Sequence, residues 1–171
     1  MTDKLSYITF ETTAGWIGIL GSGQGLLGIT LPRRSAPEAL RFLGKPAQDA
    51  VLAPELFEDL VARFQDYFNG RRVEFPDGLD LSTATDFQQR VWTATRLIPF
   101  GETRTYGWIA REIQNPAASR AVGQALGANP LPIIIPCHRV LASSGGLGGF
   151  SGGLKTKRHL LRLEGVTSFK K

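Results

Sequence analysis

The chain has a single cysteine, Cys137, among 171 residues, and its only methionine is the first residue. One cysteine cannot close an internal disulfide, and with only two histidines, His138 and His159, a structural zinc site lacks ligands. Long apolar runs are also missing. None approaches the ~18 residues that span a bilayer, and the opening MTDKLSYITF has no signal-peptide pattern, so a soluble intracellular protein is expected, cytoplasmic or, in a eukaryote, nuclear. Acidic residues are scarce in one half only. Residues 1–83 hold 8 Lys and Arg against 11 Asp and Glu, a net of −3, whereas residues 84–171 hold 12 against 4, a net of +8. So segregated a field favours a polyanionic partner, because neutralising phosphates releases counterions; a merely soluble basic surface is the plain alternative.

A hydrophobic content of 42% suffices for a sizeable core, as one domain or two small ones. Residues 5–31 read as an antiparallel meander, LSYITFETT, GWIGIL and GLLGITL, separated by Ala14-Gly15 and by the glycine cluster 21–25. That cluster is no phosphate loop, since no Lys-Ser/Thr follows and a strand, not a helix, comes next. Ser35 caps a short helix to Leu43. Residues 54–69 predict an amphipathic helix with Leu56, Leu60, Phe64 and Phe68 facing the core and Asn69-Gly70 closing it. The Pro- and Gly-bearing stretch 71–85 marks a domain boundary, giving an N-terminal α/β domain over 1–80 and a second domain over 84–171.

The second domain carries the chemistry. Ile133 to Val140, IIIPCHRV, reads as a short buried strand ended by Pro136, with Cys137 and His138 just past it. A lone cysteine is often an inert small hydrophobe. As a nucleophile it needs help, because a thiol of pKa roughly 8.5 is mostly protonated at neutral pH, and an imidazole is the obvious helper if the chain turns there or a water bridges the two.

Upstream, Thr85 or Asp86 opens a helix to about Ile98 with Phe87, Val91, Thr95 and Ile98 inward. Arg104–Ile113 and Ala117–Ala128 predict two helices joined by Gln114-Asn115-Pro116, with Asn115 as the second helix's N-cap: a helix-turn-helix. The second is dominated by alanine and glycine, and Arg120 is its only charge. Each interior glycine costs about 1 kcal/mol relative to alanine. Two explanations stand: close approach to a surface such as the minor groove of DNA, with Arg120 entering groove or stack, or tight packing within the fold.

Together the segments FQQRVW, PFGETRTYGWIA, SRAVGQALGANPLPIIIPCHRV, FSGG and LLRLEG resemble the O6-alkylguanine-DNA alkyltransferases, or methylated-DNA-protein-cysteine methyltransferases. The similarity is close over residues 84–166; the N-terminal part matches that family's first domain only in layout. The resemblance implies an α/β (α+β) protein: an N-terminal three-stranded antiparallel sheet with helices, then a mostly helical, winged-helix-like domain with the helix-turn-helix. It implies direct-reversal repair of double-stranded DNA, in which O6-alkylguanine, secondarily O4-alkylthymine, is flipped from the duplex and its alkyl group passes irreversibly to a cysteine, once per molecule. No cofactor, no metal, no membrane and a monomer are expected.

By the same resemblance Cys137 is the acceptor, His138 the base acting through a water, Glu164 the carboxylate orienting the imidazole, Asn129 a brace, and Tyr106 a donor to guanine N3. Arg120 corresponds to a finger filling the vacated stack. Thr105, Ala121, Gly123 and Gln124 join it and Tyr106 as DNA-contacting residues, while Val140, Phe150, Ser151, Gly152, Lys157 and Leu126 belong to the substrate pocket, with Arg139 anchoring a salt bridge. Phe150 stands where several relatives carry tyrosine and Leu126 where some carry methionine; no zinc-binding set and no cysteine-rich regulatory domain is present. Two rival readings remain. A non-enzymatic lesion sensor on the same domain is opposed by Cys137, and a cysteine hydrolase would leave Arg120, the small-residue helix and the +8 half unexplained.

Overall fold

The computed structural model describes residues 4–169, and the chain divides into two compact units, residues 1–82 and 83–171. In the first unit, β1 (Ser6–Thr12), β2 (Gly15–Ser22) and β3 (Gly25–Ile29) form the antiparallel meander that their β-branched sequences predict. Helix α1 (Ala36–Phe42) starts at Ser35, whose Oγ accepts the Glu38 N–H at 3.2 Å, and a single-turn α2 (Lys45–Gln48) follows. The sheet has a fourth member that the three-stranded expectation lacked. Strand β4 (Val51–Leu52) pairs in parallel with β1, giving the order β3-β2-β1-β4. Two residues are too few to show a period of two, so no alternation marks β4 in the sequence.

The helix expected over 54–69 is broken. Pro54–Leu56 is a turn of 3₁₀ helix and α3 runs from Glu58 to Phe68. Leu60, Phe64 and Phe68 face the core, but Leu56 falls in the preceding turn and is 65% exposed, which corrects its place in the stripe. Tyr67 is fully buried beside them, and the Phe64 ring lies 4.8 Å from that of Phe75.

In the second unit, α4 (Asp86–Thr95) opens with a capping box in which Thr85 Oγ1 accepts the Gln88 N–H and Gln88 Oε1 accepts the Thr85 N–H. Val91, Thr95 and Ile98 are buried as expected, Phe87 only half so, and Trp92 is buried as well. The Trp92 indole donates to Ala125 O at 2.8 Å and so ties α4 to α6 (Ser119–Gly127). Strand β5 (Arg104–Thr105) leads directly into α5 (Tyr106–Glu112), where Thr105 Oγ1 accepts the Trp108 N–H. Strand β6 (Val140–Leu141) pairs in parallel with β5, and α7 (Leu154–Leu163) follows.

The α5–α6 connection differs from expectation in its chemistry. Gln114 adopts φ 59° and closes α5 in a Schellman motif, with its own N–H on Arg111 O and the Asn115 N–H on Ala110 O. Pro116 then keeps Asn115 out of the helical region. A further turn, Ala118 N–H to Asn115 O, intervenes, and α6 begins at Ser119 behind Ala118 with no side-chain cap. Asn115 is therefore a loop residue and not an N-cap. Among the described residues no helix is long and apolar enough to cross a membrane, and no cluster of His, Cys, Asp or Glu could hold a metal ion.

Candidate active site

The segment before Cys137 is not the strand its three isoleucines suggest. Leu131 O accepts the Ile135 N–H at 2.8 Å, folding Ile133 and Ile134 into a buried turn, and Ile133 is held at φ 76°. A β-branched residue there is strained, and such strain persists only where neighbours fix the backbone. Asn129 supplies the fixing. Its Oδ1 accepts the Leu131 N–H at 2.8 Å, and its Nδ2 donates to Ile135 O at 2.9 Å and contacts Cys137 Sγ at 3.2 Å. One amide thus shapes the turn and touches the thiol. Cys137–Arg139 is a single turn of 3₁₀ helix leading into β6, so the chain turns at Cys137 and His138.

His138 is fully buried, and its Nε2 is hydrogen-bonded to Glu164 Oε2. Glu164 Oε1 accepts from Arg139 Nε at 2.6 Å, and Arg139 Nη1 donates to Ile98 O at 2.8 Å. Glu164 sits at the end of α7, where Gly165 at φ 85° terminates the helix and the Val166 N–H closes back on Leu161 O. Burial alone would raise the Glu164 carboxyl, but the His138 hydrogen bond and charge, with Arg139, outweigh it and hold it at about 2. Burial pushes the His138 imidazole below its ordinary value, against the pull of Glu164. Burial also pushes the Cys137 thiol up, opposed by the Asn129 contact and the Lys157 charge. The resting group is a thiol in contact with Asn129, followed in sequence by an imidazole whose partner is a carboxylate.

Cys137 lies on a cavity of about 540 Å³, within the size range of small-molecule sites. Tyr106 of α5 forms one wall, α6 contributes Ser119, Arg120, Gly123, Gln124, Leu126 and Gly127, and Gly149 to Ser151 form another. The Tyr106 hydroxyl donates to Gly149 O at 3.3 Å, and burial pushes its phenol up, keeping it a donor. Behind that loop Lys157 has no exposed surface. Its ammonium donates to Val140 O at 2.6 Å, Leu147 O at 2.5 Å and Gly149 O at 3.2 Å, and burial lowers it to about 8.

The glycines of α6 bear on the packing explanation of its composition. A Cβ at Gly123 would touch only the Tyr106 ring, at an ordinary 3.8 Å, and one at Gly127 would meet nothing within 4 Å. Packing inside the protein requires neither glycine.

Of the residues singled out from the sequence, Tyr106, Arg120, Gly123, Gln124, Leu126, Cys137, Phe150 and Ser151 share the cavity, while Asn129, His138 and Glu164 stand behind Cys137. Val140, Gly152 and Lys157 do not line it: Val140 is buried and offers its carbonyl to Lys157, so both hold the wall and do not form it. Ala121 lies half-buried outside the lining, and Thr105 is occupied in capping α5. Ser119, Gly127 and Gly149 also line the cavity and were not singled out as site residues. Helical spacing from Arg120 was the available signal for Gly127, which falls two turns on.

A family model described as the DNA-binding domain of 6-O-methylguanine DNA methyltransferase matches residues 86–166. The chain is 54% identical over 160 residues to the methylated-DNA–protein-cysteine methyltransferase of Mycobacterium bovis, covering 94% of this chain and 92% of that one. It is 40% identical over 163 residues to the protein of that name from Methanosarcina acetivorans, covering 93% and 97%. Among solved structures, Mycobacterium tuberculosis OGT in complex with DNA aligns with a TM-score of 0.78 at 42% identity over 93% of this chain and 92% of that one. With a thiol backed by a buried imidazole–carboxylate pair, and with these relatives matching along nearly its whole length, the chain belongs to the methylated-DNA–protein-cysteine methyltransferases.

Proposed function

We propose that this protein repairs double-stranded DNA by taking the alkyl group of O6-alkylguanine, and secondarily of O4-alkylthymine, onto Cys137, once per molecule. The observation that carries this reading is the placement of Cys137 on a cavity walled by Tyr106 and Phe150, with the His138–Glu164 pair buried behind it. A cavity of that kind accepts a base only outside the stack, so the lesion enters by flipping. The α6 face bearing Arg120 and the uncrowded glycines lies in the minor groove, where close backbone approach is needed and Arg120 fills the place the base left.

The reaction is a displacement at carbon. The Cys137 proton passes to the imidazole of His138 through a water, and the imidazolium formed is balanced by Glu164. Sulfur then forms a bond to the alkyl carbon as the carbon–O6 bond breaks, leaving electrons on the guanine, and Tyr106 donates toward N3 to offset that charge. The guanine anion takes up a proton at its ring nitrogen from water, and the His138 imidazolium returns the proton it received from Cys137 to water, so charge and protons balance. The thioether has no leaving group better than the thiolate itself, so the protein is consumed. Burial of the thiol fits this sequence, because a resting thiol stays unreactive until a base fills the cavity.

The test is intact-protein mass spectrometry after incubation with a duplex carrying one O6-methylguanine, followed by peptide mapping across residues 133–139. One methyl group on Cys137 for each guanine restored is the expected result. Bound DNA without a mass change would favour a lesion sensor, and repaired DNA without a mass change would mean turnover.

A further inference from the structure

Gln124 and Arg120 are the two long side chains on a face of α6 otherwise rich in glycine and alanine. Gln124 is exposed, lines the cavity with Cys137, and lies between Gly123 and Gly127, neither of which internal packing requires. It also follows Arg120 by four residues, so the two side chains lie on one face of α6, about 6 Å apart along its axis. Building on the minor-groove placement of α6 proposed above, we infer that Gln124 is a specificity-determining residue that reads the base pair beside the lesion and favours a G·C pair there.

The chemistry is that of a carboxamide. In the minor groove an A·T pair offers only acceptors, adenine N3 and thymine O2, whereas a G·C pair adds the donor of guanine N2. The Gln124 side chain has both functions on one plane. Against guanine its Nε2 donates to N3 while its Oε1 accepts from the N2 amino group, so both ends are satisfied; against A·T the Oε1 has no donor to meet. Arg120 lacks any acceptor, glycine and alanine offer no side-chain hydrogen bond, and the single hydroxyl of Ser119 cannot span N3 and N2 as a planar carboxamide does, so among the α6 residues around Arg120 this discrimination falls to Gln124.

The experiment measures single-turnover methyl transfer to Cys137, by mass, in duplexes that differ only in the pairs flanking O6-methylguanine. Wild type is expected to react roughly tenfold faster with a G·C flank on one side than with A·T. Replacing that flanking guanine by hypoxanthine, which removes only the N2 amino group, lowers the wild-type rate to the A·T level. In Gln124→Met, which keeps length and helix propensity, all of these duplexes react alike, whereas Arg120→Ala slows them all and keeps the preference. A flat wild-type series overturns the inference, as does a Gln124→Met protein that keeps the preference or slows uniformly. If no duplex places a methyl group on Cys137, the underlying reading fails first, and that result is distinct from the loss of a flank preference.

Discussion

Glu164 Oε2 meets His138 Nε2 inside the fold, where His138 has no exposed surface, while the other oxygen of the same carboxylate takes the Arg139 guanidinium. The carboxylate therefore orients the ring and balances any charge it acquires. In Glu164→Gln the shape is nearly kept and the charge is lost, so methyl transfer to Cys137 should slow on the order of 10²- to 10⁴-fold. DNA affinity should stay within about twofold. A transfer rate close to wild type would remove Glu164 from the reaction.

The same carboxylate sets an acid limit. Its folded value, about 2, lies below the ordinary 4.5, so it contributes stability above pH 4.5 that is lost as pH falls toward 2. Urea midpoints measured between pH 5 and pH 2.5 should therefore drop more steeply for wild type than for Glu164→Gln. Parallel curves would show that the pair is not coupled to folding.

Asn129 joins the end of α6 to the strained turn before the thiol. Asn129→Ala leaves the Leu131 N–H and Ile135 O without their side-chain partner and releases the restraint on Ile133. Ile135 O keeps the Cys137 N–H at 2.7 Å, so only the Leu131 N–H is orphaned, and a loss of about 1–3 kcal/mol in denaturant unfolding is expected, with slower transfer as Cys137 drifts. Unchanged stability would mean that the turn holds itself.

How far the sequence reveals this arrangement depends on the kind of constraint. The meander and the Phe64 and Phe68 face are local patterns that read correctly, and of the two caps the sequence offers, Thr85 and Asp86, the structure uses Thr85. The isoleucine run misleads, because three buried β-branched residues suit a strand, while the actual turn depends on a side chain four residues upstream of Ile133. Strand β4 is set by a partner distant in sequence, β1. Cys137 and His138 are legible from the residues themselves as a thiol with an adjacent imidazole, whereas Glu164 was found through the resemblance. Spacing alone does not bring together residues 26 apart.

Gly148 allows Tyr106 its position. A Cβ at Gly148, whose φ is 69°, would stand 2.7 Å from the Tyr106 hydroxyl and 2.9 Å from its ring. In Gly148→Ala the tyrosine must tilt, and the space beside Cys137 narrows. Transfer should slow roughly tenfold for a methyl group and more for a benzyl group, the cost of overpacking growing with the size of the guest. Equal slowing for both groups would show that the change acts through the backbone and not through Tyr106.

Lys157 should give the reaction an upper pH limit. Protonated, it has a donor for each of Val140 O, Leu147 O and Gly149 O, and so holds the loop that carries Phe150. Its folded value of about 8 lies below the ordinary 10.5 because burial disfavours the charge. Between those values the unfolded chain binds more protons than the folded one, so this group makes folding more favourable as pH rises through the window, by about 3 kcal/mol at most. The site responds in the opposite sense. Above pH 8 the neutral amine has two donors for three carbonyls, the loop loosens, and the transfer rate should fall. Cys137 and Tyr106 are also pushed up, but ionising the thiol would raise the rate, so a falling limb near pH 8 is not the thiol's. In Lys157→Met that limb should vanish, with a slower rate at pH 7 and a smaller gain in stability from pH 7.5 to 9.5 than in wild type. A variant that keeps the falling limb would take Lys157 out of it and leave Lys157 a packing residue, because the raised Tyr106 phenol ionises above that range.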